Sequence, residues 1–139
     1  MQGNSNDLVG KILGNCTLER LIGRGGMGAV YLARQERPAR HVAVKVLHPY
    51  LDNNDGESSQ GFLARFRREA DVIARLEHMN IMPLYEYGEQ DGLAYLVMPY
   101  VTGGSLSERL KQQGALSLSA VIPYMDQAAS ALDYAHAQG

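Results

Sequence analysis

The chain has 139 residues, which is the length of one domain or of half a larger one. Apolar residues make up 45% and charged residues 20%, a balance that argues against disorder of the whole chain. The net charge of −2 gives no reason to expect nucleic acid as a partner, and the single cysteine, Cys16, excludes an internal disulfide. The longest apolar run, Leu93–Val101, is less than half of the roughly 20 residues that cross a membrane.

The N-terminal segment is polar. Residues 1–7 lack the basic and apolar regions of a signal peptide, and we expect about the first ten residues to be frayed. We therefore predict a cytoplasmic segment that makes no membrane contact itself, and a membrane anchor beyond residue 139 stays open.

The next part of the chain has the pattern of β-strands. The predicted strands are Thr17–Ile22, Val30–Ala33 and Val42–Leu47. In the third strand, three valines at alternate positions share one face, and Ala43 and Lys45 share the other. A polar loop over residues 52–59 then ends this order.

Helices and two more strands fill the remainder. Phe62, Phe66, Ile73 and Leu76 recur at helical spacing and predict a helix over residues 60–77. Two strands, Leu84–Tyr87 and Leu93–Met98, flank an Asp-Gly turn. Ser105 is placed to cap a short helix ending near Gln113, with Glu108 at the capping-box position, and Ser117 or Ser119 opens a last helix that ends near Ala137. Short links between strands predict an antiparallel, five-stranded sheet with a helix against it, an α+β fold.

A glycine cluster is the first candidate for chemistry. Gly23, Gly25 and Gly28 have the spacing Gly-x-Gly-x-x-Gly, which alone is a weak signal. Because a strand and not a helix follows, the nearer template is a flap whose backbone N–H groups cover nucleotide phosphates. A mobile hairpin turn is the alternative interpretation.

A lysine and a glutamate are the next candidates. Lys45 lies in an apolar strand, where a buried ammonium group needs an anion; on an edge strand it would instead reach solvent. Glu69 shares a helical face with apolar residues, where a carboxylate requires a cation. Pairing with Arg65 or Arg68 is the simpler alternative, but with the other motifs present we predict a Lys45–Glu69 pair.

These motifs, in this order, resemble the N-terminal part of a eukaryotic-like protein kinase domain of the bacterial serine/threonine type. The glycine cluster within Leu21–Tyr31 resembles its glycine-rich loop, and Val42–Lys45 resembles the strand that carries its phosphate-binding lysine. The further matches are Phe66–Ala70 with helix C, His78–Ile81 with the turn before strand 4, Leu96–Val101 with strand 5 and the hinge, Gly103–Leu106 with the start of helix D, and Ala131–His136 with the end of helix E.

The resemblance implies a division of the chain and an adenine site. Residues 1–15 would be the N-terminal segment, 16–101 the N-lobe with the hinge, and 102–139 the start of the C-lobe with helices D and E. The implied adenine contacts are an apolar roof from Ile22, Val30 and Ala43, the gatekeeper Met98, the carbonyl of Pro99 and the N–H of Val101. Pro99 departs from the acidic residue common there but retains the carbonyl that the family uses.

The resemblance also implies how the rest of ATP would be held. The backbone of the glycine loop would cover the phosphates, through Gly23, Gly25, Gly26 and Gly28. Lys45, held by Glu69, would contact the α- and β-phosphates, and Ser105 stands where a polar residue often meets the ribose. Lys45 and Glu69 are the catalytic candidates, and no metal ligand is predicted.

The 139 residues contain neither His-Arg-Asp nor Asp-Phe-Gly. A kinase draws its base and its Mg²⁺ ligands from these motifs, so we expect Mg²⁺ only in a complete kinase and no useful activity of this segment alone. The expected partners of the parent kinase are ATP and protein substrates. An apolar surface on the last helix predicts self-association. A pseudokinase that binds nucleotide, or an interaction scaffold, is the alternative.

Overall fold

The structure is a computed structural model, and it describes residues 8–25, 28–47 and 58–139. The frayed start up to residue 7 and most of the predicted polar loop lie outside these ranges, as do Gly26 and Met27. The chain divides into two compact units. The first runs to Arg75 and includes Leu84–Tyr100, and the second comprises Leu76–Pro83 and Val101–Gly139.

An antiparallel sheet dominates the first unit, and with its helix it confirms the predicted α+β fold. The strands are β1 (Ile12–Leu13), β2 (Cys16–Gly25), β3 (Gly28–Gln35), β4 (Arg40–Leu47), β5 (Glu86–Gln90) and β6 (Leu93–Pro99), in the spatial order β1-β2-β3-β4-β6-β5. All five neighbouring pairs are antiparallel. Within the described ranges the sheet has six strands and not the predicted five, because the two residues of β1 pair with the start of β2 in the N-terminal segment, where no strand was predicted.

The two faces of the sheet are buried to different extents. One face forms a core in which the alternate valines of β4 pack with Tyr31, Tyr95 and Val97, and with Leu13 and Cys16. The opposite face is covered in part by α1 (Ser59–Ala74), which buries Phe62, Phe66 and Ala70 against Leu47 and Ala94. These three helix residues are spaced by four and form one apolar stripe. Phe62 and Phe66 belong to the predicted stripe, whereas the buried Ala70 was not part of it.

The helix α1 ends three residues before the predicted end. Ser58 caps its start by accepting a hydrogen bond from the Gly61 N–H at 3.2 Å. At its C-terminus the Arg75 N–H bonds to the carbonyls of Val72 and Ile73, and the chain then leaves the helix into residues that belong to the second unit. The prediction that Ile73 lies in the buried stripe is wrong: this residue of the last helical turn is 43% exposed.

The second unit contains α2 (Leu106–Gln113) and α3 (Leu118–Ala137), with Pro123 inside α3. Residues 76–83 are attached to α3 by side-chain hydrogen bonds. The Tyr134 hydroxyl accepts from the Glu77 N–H at 3.0 Å, and His78 Nε2 lies 3.1 Å from Ser130 Oγ. His78 also stabilises the turn in which it lies, because its Nδ1 accepts a hydrogen bond from the Asn80 N–H at 3.0 Å. No described helix is long and apolar enough to cross a membrane.

Candidate nucleotide-binding site

The glycine cluster lies where β2 and β3 face each other, and Gly25 pairs with Gly28 there. Its glycines have different surroundings. A Cβ on Gly28 would overlap the backbone carbonyl of Val46, whereas a Cβ on Gly25 would meet nothing within 4 Å. Glycine at position 28 is therefore required by the close approach of β4. The described part of the protein gives no such reason at position 25.

Several predicted site residues share one face of the sheet. The register places Gly23, Val30 and Lys45 side by side across β2, β3 and β4. One step along, Ala43 of β4 is opposite Met98 of β6. Because paired residues in a ladder project to the same side, the four side chains of Val30, Ala43, Lys45 and Met98 lie on the face that α1 partly covers. Their arrangement is an apolar surface with one cation.

The side chains on this surface are buried to different extents. Ala43 is 6% exposed, while Val30, Lys45 and Met98 are half-buried. Ile22 is also half-buried and lies at a register irregularity between Leu21 and Gly23, where the strand carries an extra residue. A half-buried ammonium group among apolar side chains is suited to bind an anion.

The structure does not bring Lys45 and Glu69 into an ion pair. Both residues lie in the described ranges, and no nitrogen–oxygen distance of 4.0 Å or less joins them there. The carboxylate of Glu69 is exposed, as are the neighbouring side chains of Arg67 and Arg68. The predicted pair thus requires a movement of α1 or of the side chains.

A set of contacts that the sequence pattern did not indicate joins α1 to β5. The guanidinium of Arg67 donates two hydrogen bonds to the Glu89 carboxylate, at 2.6 and 2.7 Å. The Tyr87 hydroxyl donates to Asp71 at 3.2 Å, and Asp71 also pairs with Arg75 at 2.6 Å. Burial of its ring and the bond to Asp71 raise the pKa of Tyr87. In the sequence, the helical spacing of four between Arg67 and Asp71 is the only sign that the two residues share a face.

The remaining predicted residues lie at the end of β6 and beyond it. Pro99 is the last residue of β6 and pairs with Val42. Val101 belongs to the second unit and is 57% exposed. Ser105 forms the predicted capping box: its hydroxyl accepts from the Glu108 N–H at 3.2 Å, and its own N–H donates to the Glu108 carboxylate at 2.9 Å. The Ser105 side chain is therefore engaged within α2.

A metal-binding cluster is not found in the part of the chain that the structure describes: no three His, Cys, Asp or Glu side chains gather there. The described arrangement is instead an apolar sheet face with one ammonium group, next to a glycine turn. Such a surface fits a ligand with a flat apolar part and a charged part.

Comparison with known proteins agrees with this geometry. Residues 16–139 match the family described as "Protein kinase domain". The chain is 42% identical over 131 residues to the serine/threonine-protein kinase PknD of Mycobacterium tuberculosis and 40% identical over 131 residues to PrkC of Bacillus subtilis. These matches cover 94% and 93% of this chain but 19% of each relative, so the chain spans about a fifth of their length.

Solved structures give the same result for the fold. The crystal structure of the PknI kinase domain of Mycobacterium tuberculosis superimposes with a TM-score of 0.79 at 33% sequence identity. The match covers 94% of this chain and 51% of that one. The chain belongs to the protein kinase family, and it corresponds to the N-terminal portion of a bacterial serine/threonine kinase domain.

Proposed function

We propose that the chain is the ATP-binding portion of a serine/threonine protein kinase, a class that transfers the γ-phosphoryl group of ATP to protein hydroxyls. The observation that carries this proposal is the common sheet face of Val30, Ala43, Lys45 and Met98 beside the glycine turn. Small or apolar side chains there suit an adenine ring, and the ammonium group suits phosphate. A protein substrate is expected only for the parent kinase.

The adenine end is assigned to residues of the sheet and of the segment that follows β6. Ile22, Val30 and Ala43 form the apolar roof, and Met98 is the gatekeeper. The Pro99 carbonyl accepts a hydrogen bond from the adenine edge, and the Val101 N–H donates one to it. We place the hinge at these two residues, within a first lobe of residues 16–101. Residues 102–139 begin a second lobe, and 1–15 form an N-terminal segment.

The phosphate end is assigned to the glycine turn and Lys45. Backbone N–H groups from Gly23 to Gly28, including Gly26, cover the phosphates, and Lys45 binds them with Glu69 as its support. Room beside Gly25 supports this assignment, because a phosphate needs the space that a Cβ would occupy. Ser105 near the ribose is the weakest assignment, since its hydroxyl already caps α2. In the complete kinase, Mg²⁺ would neutralise negative charge on the phosphates.

Binding of ATP tests the proposal directly. We expect titration calorimetry to detect ATP binding and Lys45→Met to lower the affinity roughly 10- to 100-fold, the cost of losing a charge-assisted contact. Lys11→Met is the matched control, because Lys11 pairs with Asp91 at 3.2 Å in the same unit but away from the glycine turn. Equal ATP affinity of the unsubstituted 139-residue chain and of both variants would contradict the assigned site.

Phosphotransfer by these 139 residues alone is not expected, because the chain has no His-Arg-Asp and no Asp-Phe-Gly motif. Highly purified chain with Mg²⁺ and radiolabelled ATP should label neither itself nor a general protein substrate. Labelling that disappears in Lys45→Ala would refute this expectation. The alternative, a pseudokinase-like binding module or scaffold, is favoured if the parent protein also lacks phosphotransfer.

We further propose that the chain self-associates through one face of α3. Four large apolar residues on this helix are exposed: Leu118 (76%), Ile122 (49%), Met125 (63%) and Leu132 (57%). With Ala129 they follow a four-three-four-three spacing, the repeat of helices that pack along a seam. An exposed apolar stripe of this kind is expected to find a partner surface.

Sedimentation analysis tests this second proposal. The parent chain should show a concentration-dependent rise in mass, and Met125→Glu should return it to the monomer because a carboxylate cannot be buried in the seam. Asp126→Asn is the control, as it changes the exposed charge next to the stripe. A chain that stays monomeric at high concentration argues against self-association.

A further inference from the structure

The sheet has two edge strands, β1 and β5, which lie at opposite ends of the strand order. In the described ranges no ladder joins them, but a side chain does. The Gln90 amide, at the end of β5, accepts a hydrogen bond from the Gly14 N–H at 3.1 Å and donates one to the Ile12 carbonyl at 2.7 Å. Both backbone groups lie on the outer edge of β1, because the neighbouring Lys11 carbonyl faces β2 and accepts from the Leu18 N–H. The amide thus supplies the acceptor and the donor that an adjacent strand would present.

A tyrosine fills the space between the same two edges. The Tyr95 side chain of β6 places its hydroxyl oxygen between two glycines. A Cβ on Gly14 would lie 2.8 Å from this oxygen, and a Cβ on Gly88 of β5 would lie 2.6 Å from it. Neither position has room for a side chain, and Gly14 also has a φ of +60°. The turn after β1 is therefore in close contact with β5 and β6.

The segment that begins the described chain covers one end of the core. We name residues 8–14 the strap. Leu13 of the strap pairs with Cys16 in the ladder, and both side chains are fully buried. Leu8 packs against the same core. Displacement of the strap would therefore uncover Cys16, which is the only cysteine of the chain.

The strap is attached more weakly than the central strands are to one another. It shares two ladder positions with β2, whereas β3 and β4 share eight. The Lys11–Asp91 ion pair, with a nitrogen–oxygen distance of 3.2 Å, joins partly exposed side chains and adds little. Short elements with few buried contacts open at a lower free energy than global unfolding requires. The two hydrogen bonds of Gln90 are therefore a large share of what keeps the strap in place.

We infer that the strap is a cover over this end of the core, kept closed by the Gln90 amide, and that it opens while the rest of the sheet stays folded. In the open form, Cys16 and the Tyr95 hydroxyl become accessible to solvent, and β2, β3 and β4 remain paired. Opening is a shift between two populations, so anything that binds the displaced strap would favour the open form. This inference does not depend on ATP binding, because it uses contacts within the first unit alone.

The experiment removes the bridge with one substitution. Gln90→Met keeps a side chain of similar length but loses both hydrogen bonds to the turn after β1. Gln60→Met is the matched control, because it makes the same change at an exposed position of α1 in the same unit.

The first readout is the rate at which a coloured disulfide reagent labels Cys16 at fixed pH and increasing urea. A local opening exposes little surface, so the rate should stay nearly constant at low urea and rise only near the unfolding transition. Gln90→Met should raise the constant rate roughly 5- to 20-fold, the effect of two hydrogen bonds on an opening equilibrium, and Gln60→Met should leave it within about twofold. A rate that climbs steeply from the lowest urea concentration would show that only global unfolding exposes Cys16, and would overturn the inference.

The second readout is amide hydrogen exchange, which separates opening of the strap from general destabilisation. In Gln90→Met, the amides of Gly14 and Leu18 should exchange faster by about the factor found for Cys16, while the amides of β3 and β4 keep their rates. Equal acceleration of all these amides would overturn the inference. The unsubstituted chain decides the question even if Gln90→Met does not fold, because Gly14 and Leu18 should already exchange through a smaller opening than β3 and β4 there. Exchange of all four groups with one common opening free energy would count against a separate movement of the strap.

Discussion

Gly28 lies so close to the backbone carbonyl of Val46 that a side chain at position 28 would overlap it, and the Val46 carbonyl carbon lies 3.0 Å from the Cβ position. The two strands meet here with Gly28 opposite Leu47. One glycine of the kinase-like motif is therefore fixed by the packing of the sheet, independently of any ligand. Among the described residues, none comes within 4 Å of a Cβ placed on Gly25, its partner across the ladder.

The pair of glycines gives a direct test. Gly28→Ala should lower the free energy of unfolding by about 1–3 kcal/mol, because backbone must move to admit the methyl group. Gly25→Ala should change it by less than about 0.5 kcal/mol, and should instead weaken ATP binding if phosphates lie against this residue. Urea denaturation of both variants measures the first effect. Equal destabilisation by the two changes would contradict the assigned difference.

Local signals explain what the sequence predicts well. The capping box of Ser105 and Glu108 needs only residues three apart, and the alternation in Val42–Leu47 needs only neighbours, so both are confirmed. The membership of Lys45 and Ala43 in one face follows from the same period of two. The order of the later elements is also as expected, although β5 begins at Glu86 and not Leu84.

Contacts between distant residues explain what the sequence does not reveal. The Arg67–Glu89 pair joins positions 22 residues apart, and nothing in either local pattern indicates the other. Likewise the Gln90 side chain bonds to the Ile12 carbonyl at 2.7 Å and to the Gly14 N–H at 3.1 Å, beside a two-residue strand too short to show a period. The roles predicted for Val101, Ser105 and Glu69 toward ATP stay predictions.

The thiol of Cys16 should be unreactive in the native protein. Burial, with a smaller effect of Glu86, raises its pKa from 9.0 to about 11. At pH 8 the thiolate fraction is then roughly 100-fold lower than in the unfolded chain, and the side chain is inaccessible as well. A coloured disulfide reagent should therefore react only as fast as the protein opens. Rapid stoichiometric reaction without denaturant would contradict the buried position.

The same group makes stability depend on alkaline pH. Because its pKa is higher in the folded state, the stabilisation is complete below pH 9 and is lost as pH rises toward 11, where the unfolded chain releases the proton first. Burial and the nearby Glu86 also raise the pKa of Tyr95, which adds to the loss in the same direction. Thermal melts from pH 8 to 11 should show a decline that is shallower in Cys16→Ala. A slope unchanged by this substitution would assign the decline to other groups.

The N-terminal cap of α2 should contribute to the stability of the second unit whether or not Ser105 contacts a ribose. Ser105→Ala removes the acceptor for the Glu108 N–H and should cost about 1 kcal/mol, whereas Ser105→Asp keeps an acceptor and should cost less. Ser107→Ala is the control, since Ser107 is exposed inside the helix. Hydrogen exchange of residues 106–113 measures the effect. If Ser105→Asp and Ser105→Ala accelerate exchange equally, the loss of the capping hydrogen bond does not explain the faster exchange.

The attachment of residues 76–83 to α3 can be tested at one atom. Tyr134→Phe removes the hydroxyl that accepts from the Glu77 N–H but keeps the ring, which lies 5.3 Å from the His78 ring. The expected loss is about 0.5–1.5 kcal/mol, because the exposed amide can turn to water. The matched change Tyr100→Phe removes a weaker contact, a 3.4 Å bond from Arg20, and should cost less. Faster exchange of the Glu77 amide in Tyr134→Phe alone would locate the effect in this turn. Unchanged exchange there would mean that two other bonds to α3 hold the segment: His78 to Ser130, and the Asn80 side-chain amide to the Gln127 side-chain oxygen at 2.9 Å.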